Sequence, residues 1–85
     1  MDIHNHFDFT AQGRRPSTAQ IIKRWRDAGK PARFSVQYGE TFAEFEHIVA
    51  GRWDDYGNGC RGVNRLAVVN ALQAAEGPVS RGDWL

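Results

Sequence analysis

Thr41-Phe-Ala-Glu-Phe-Glu-His-Ile-Val-Ala-Gly-Arg-Trp53 is the stretch on which the architecture turns. Thr41 and Glu44 have the spacing of a capping box, in which a hydroxyl and a carboxylate each satisfy a backbone N–H at a helix start. Phe42, Phe45, Val49 and Trp53 follow at steps of three and four, with Ile48 on the edge of the stripe. That pattern predicts a helix over 42–53. The competing reading is a hairpin partner for a preceding strand, because Phe, Ile and Val also favour extended backbone. The cap and the spacing favour the helix. Beyond it, Asp54-Asp-Tyr-Gly-Asn-Gly59 has the composition of a loop.

Upstream, Gly39-Glu40 turns the chain, and before it Phe34, Val36 and Tyr38 alternate in a strand over 33–38. Ser17 with Gln20 makes another capping box, and Thr18, Ile21, Trp25 and Ala28 share one side of a helix over 17–28. Gly29 and Pro31 end it. Residues 2–10 also alternate, with Ile3, Asn5, Phe7 and Phe9 on one face of a strand. Downstream, Val63, Leu66, Val68, Val69 and Leu72 with several alanines make a helix over 61–75 that is apolar nearly all round. It reads as a central helix packed on two sides. Gly77-Pro78 stops it, and 79–85 is a tail that Trp84 and Leu85 can pin. The expected fold is a small α+β domain over 1–85, in the order β-α-β-α-α. A thin two- to three-stranded sheet would pack on helices, its first two strands parallel.

A chain of 85 residues holds one modest core, which excludes barrel enzymes and complete dinucleotide-binding folds. Ten aromatic residues argue against disorder. One cysteine, Cys60, can make neither an internal disulfide nor a cysteine metal site and points to a reducing, cytoplasmic setting. No apolar run suffices for a membrane span, and the polar start MDIHNHFDF is unlike a signal peptide.

The net charge of +1 conceals segregation. From Arg14 to Arg33 there are seven bases against Asp27 alone, and from Glu40 to Asp55 five acids against Arg52 alone. Arg14, Arg15, Lys23, Arg26 and Lys30 could meet an acidic patch or phosphates. Glu44, Glu46, Asp54, Asp55 and Tyr56 could meet a basic surface, by imitating phosphate charge. Tyr56 and Trp84 are the aromatics expected at least partly exposed, and such residues beside arginine anchor interfaces.

Catalytic signals are thin. Asp2-Ile-His-Asn-His6 has the D-x-H-x-H spacing of amidohydrolase-like metal enzymes, but those draw further ligands from a large barrel. Gly57-Asn-Gly-Cys-Arg-Gly62 spells G-x-G-x-x-G without the strand before it or the length after it that a dinucleotide site needs. Cys60 lacks an identifiable base. No enzyme activity, metal or cofactor is expected. In character the chain looks like the small accessory proteins of phages and mobile elements, among them inhibitors of host defence machinery such as CRISPR complexes; the likeness is one of type and assigns no residue. The expectation is a non-enzymatic binding protein, monomeric or homodimeric, that occludes a surface of a larger protein or nucleoprotein complex. The alternative is a DNA- or RNA-binding module using the basic first helix.

Overall fold

A computed structural model describes residues 5–49, 51–59 and 61–75. Its elements are β1 (Asn5–Asp8), α1 (Thr18–Asp27), β2 (Arg33–Tyr38), β3 (Thr41–Val49), β4 (Arg52–Gly57) and α2 (Arg65–Ala74), with one 3-10 turn at Thr10–Gln12. The four strands form a single mixed sheet in the order β1-β2-β3-β4. β1 runs parallel to β2 through the α1 crossover, and the other two pairings are antiparallel.

The architecture corrects the expected one. The order is β-α-β-β-β-α, with four strands where two or three were expected, and residues 42–53 form most of β3 and the start of β4 instead of a helix. The reason lies in the turn before them. Gly39 has φ 60 at the first position of a two-residue loop, as a II′ hairpin turn asks, and Tyr38 pairs with Thr41 across it. From there every residue of β3 through Glu46 pairs with β2. Alternate residues Thr41, Ala43 and Phe45 go inside while Phe42 stays 38% exposed. A helix would have left the inner edge of β2 without its ladder. The expected 2–10 strand is seen as β1, residues 2–4 and the 79–85 tail lying outside the described residues.

α1 forms as its sequence predicts. Ser17 accepts from the Gln20 N–H at 3.1 Å, and Gln20 Oε1 accepts from the Ser17 N–H at 3.4 Å. Ile21, Ile22 and Trp25 are buried against the sheet. α2 is shorter than the predicted 61–75 helix. It starts after Asn64, whose side chain accepts from the Ala67 N–H at 3.1 Å. It buries Val68, Val69 and Leu72 but leaves Leu66 70% exposed, so it packs on one side and is not a central helix.

The core between sheet and helices is aromatic. Phe34 stacks between Phe7 and Phe45, with centroids 5.4 and 5.1 Å away, and Trp53 meets it edge-on at 6.0 Å. Trp25 and Trp53 meet at 81°. Their indoles differ in one respect. Trp25 Nε1 donates to the Pro31 carbonyl at 2.8 Å, whereas the buried Trp53 Nε1 has no acceptor among the described residues. Trp25→Phe should therefore cost about 1 kcal/mol more than Trp53→Phe, since only the first strands a carbonyl. Urea titration of both variants checks the difference; equal losses would contradict it.

Candidate binding face on the open side of the sheet

Both helices bury their apolar sides on one face of the sheet, so the register decides what the other face shows. Paired residues share a face, and the rows read His6–Ser35–Glu44–Tyr56, Asp8–Gln37–Phe42 and Arg33–Glu46–Asp54. These alternate with the buried set Phe7, Phe34, Val36, Ala43, Phe45 and Trp53. The open face therefore carries four carboxylates, Asp8, Glu44, Glu46 and Asp54, with Arg33 as a cation in its ladder and Arg52, which alternates with the buried Trp53, at its margin.

Tyr56, on the edge strand β4, stands beside three of these carboxylates, Glu44, Glu46 and Asp54, and is 48% exposed. Loss of solvent pushes its phenol above the usual range, and Asp54, Glu46 and Glu44 push the same way, while Arg33 opposes them. Asp8, at the other edge, is held below the ordinary carboxylate range by the hydroxyl and N–H of Thr10, with a smaller contribution from His6. The Thr10 N–H donates to Asp8 Oδ1 at 2.9 Å. Phe42, 38% exposed, stacks on the His6 ring at 6.2 Å. Two exposed aromatic platforms thus flank the row of glutamates.

His6 is braced from two sides. The Gln37 amide donates to the Gly39 carbonyl at 3.1 Å, which turns its Oε1 toward His6 Nε2, also at 3.1 Å. In the Nε2-protonated tautomer, which this Gln37 orientation suits, Nδ1 accepts from the Ser35 hydroxyl at 2.6 Å. Hydroxyl, imidazole and an orienting group are the parts of a nucleophile relay. Ser35, however, is 1% exposed beneath its neighbours, so its oxygen is closed to a substrate. The relay ties β1 to β2. Among the described residues no group of three or more His, Cys, Asp or Glu side chains could hold a metal ion.

The sequence-predicted residues fall into three places. Glu44, Glu46, Asp54 and Tyr56 are brought together on the open face. Asp55 is not: it follows Asp54 in a strand, so it points to the helix side, where its Oδ2 meets Arg65 Nε at 3.4 Å. The expected loop at 54–59 is β4 as far as Gly57, and strand alternation separates the two aspartates. Of the basic set, Arg15, Lys23 and Arg26 lie on the helix side of the molecule. Arg14 and Arg15 precede α1, and Arg15 donates to the Arg61 carbonyl at 3.1 Å. Lys23 and Arg26 are exposed on α1, Lys23 pairing with Asp27 at 3.1 Å. Lys30 follows the helix at φ 54, off the α1 stripe. Trp84 is outside the described residues. His6, Asp8, Arg33 and Phe42 complete the face and were not among the predicted residues. The signal for Phe42 was its alternation with Thr41 and Ala43.

The G-x-G-x-x-G segment is accounted for by packing. A Cβ on Gly57 would sit 2.1 Å from the Phe42 carbonyl oxygen, one on Gly59 2.7 Å from the Val63 carbonyl oxygen, and one on Gly62 2.8 Å from the Tyr38 ring. Gly57 and Gly62 let the chain lie against the β2–β3 hairpin, and Gly59 lets it pass Val63 and Arg65. Fold and face together define a small α+β domain with one helix-covered and one open sheet surface. Comparison with protein-family models, curated proteins and solved structures finds no match. No described helix is long and apolar enough to cross a membrane.

Proposed function

We propose that this protein is a non-enzymatic binding protein whose open sheet face covers a basic surface on a larger protein or nucleoprotein complex, as a stoichiometric inhibitor would. One observation carries the reading: Glu44, Glu46, Asp54 and Tyr56 lie in adjacent rows of a sheet face that neither helix covers. Carboxylates on a rigid ladder, spaced every second residue, present negative charge in a fixed array, as a nucleic-acid backbone does. Tyr56 and Phe42 add flat apolar area beside that charge, the combination that anchors interfaces. The closed Ser35 hydroxyl supports the non-enzymatic part of the reading.

The test uses a nine-arginine peptide as a minimal basic surface, titrated into the labelled protein by NMR. Amide shifts are expected at Glu44, Glu46, Asp54 and Tyr56. Reversing the three acids (E44K, E46K, D54K) should weaken binding about 100-fold, and Tyr56→Ala about ten-fold. Unchanged affinity in the triple variant would end the proposal. Duplex DNA binding that disappears with K23E and R26E would instead favour a nucleic-acid module working through α1.

A further inference from the structure

The helix layer, on the far side of the sheet from the acidic face, carries a second surface. Between α1 and α2 lies a groove of about 700 Å³. Ala19 and Ile22 wall it on α1, Ala71 and Ala74 on α2, and Lys23 and Arg26 stand on its rim. The α1 residues at 19, 22, 23 and 26 follow the spacing of one helix face. α2 bears no charged side chain from Leu66 to Ala75, although Leu66 and Ala74 are exposed. A helix turned to water ordinarily carries charge on its outer side.

We propose that this groove receives an acidic amphipathic helix from a partner protein. The walls argue for a helix: alanine side chains let a third helix approach to about 8 Å between axes, at the close end of the range for packed helices. Its apolar residues would enter between Ile22 and Ala71, the i/i+3/i+4 mode of groove recognition. The rim argues for acid. Lys23 and Arg26 outnumber Asp27, the one carboxylate lining the groove. The Lys23–Asp27 pair is exposed on both sides, 76% and 60%, so water screens it and Lys23 can exchange partners. This surface is independent of the acidic sheet face, and failure at one leaves the other standing.

The probe is a fluorescein-labelled amphipathic peptide of alanine, leucine and glutamate, about fifteen residues long and thus about four helical turns. It is measured against the same peptide with lysine for every glutamate, both on the intact chain. The glutamate peptide should bind and shift the amides of Ala71 and Ala74. The lysine peptide should bind at least about ten-fold more weakly, as should the glutamate peptide on K23E/R26E. Ala74→Glu, at an exposed position that folding tolerates, should also weaken binding, and Ala19→Glu provides a second obstruction on the opposite wall. Equal binding of the two peptides, or shifts away from the groove, overturns the proposal. So does a chain that accepts the peptide only after Trp84→Ala, because its own C-terminal segment would then be the occupant. A concentration-dependent dimer that Ala74→Glu dissociates makes a second copy the occupant, and likewise overturns it.

Discussion

Phe34→Ala should remove about 3–5 kcal/mol of stability, the range for deleting a fully buried aromatic side chain. Phe34 is wholly buried and contacts three rings, those of Phe7, Phe45 and Trp53. Those rings come from three different strands, so the vacated volume cannot be filled by moving one element. Domains of this size have about 5–15 kcal/mol in all, so the variant approaches the limit of folding at room temperature. Urea denaturation followed by tryptophan fluorescence measures it. A loss under about 1 kcal/mol would mean that the site collapses freely and that the stacked column is not the core.

Much of this core was legible in the sequence. The strand at 33–38 and the capping box at Ser17 are local features, and local features settle those elements. Trp25 and Trp53 were expected inside and are, while Tyr56 was expected exposed and is. The smaller failure was at α2, which is shorter than expected and packs on one side only, and the larger at residues 41–57. There Phe42, Phe45 and Val49 fit helical spacing, while Thr41, Ala43 and Phe45 fit a strand, and Phe45 belongs to both patterns. Local sequence leaves such a segment undecided; what decides it is the backbone of β2, which needs a partner and lies one two-residue turn away. Gly51, at φ 74, marks the next reversal and is out of place in a helix interior.

The same ambiguity hid half of the face. Read as a helix, the segment sends Phe42 inward and leaves Glu44 and Glu46 on unrelated sides. Read as a strand, it puts all three in one line. Asp54 and Asp55 show the converse: as loop residues they form one acidic pair, but alternation gives one to the open face and the other to Arg65. Charge counts along the chain located the acidic segment. Only the register could say which of its charges act together.

Gly57→Ala should be nearly as damaging as loss of Phe34, for a different reason. Gly57 has φ 119, a conformation side chains strongly disfavour. An added Cβ would lie 2.1 Å from the Phe42 oxygen and 2.9 Å from Ala43 Cα. Both obstacles are backbone of β3, so no side chain can rotate away. The end of β4 must therefore leave β3 or bend, and the Asn58 links go with it: its N–H to the Phe42 carbonyl at 2.8 Å, its Oδ1 accepting from the Phe42 N–H at 2.6 Å. Strain, steric conflict and lost hydrogen bonds together should cost about 3 kcal/mol or more. Gly39→Ala separates these terms, because Gly39 also has positive φ but nothing lies within 4 Å of its added Cβ. It should cost about 1 kcal/mol, the conformational part alone. Parallel urea titrations of the two variants decide the matter. Equal losses would show that β4 yields without cost at Gly57. A large gap would show that this glycine, by letting β4 lie against Phe42, holds Asp54 and Tyr56 in register with the glutamates of β3.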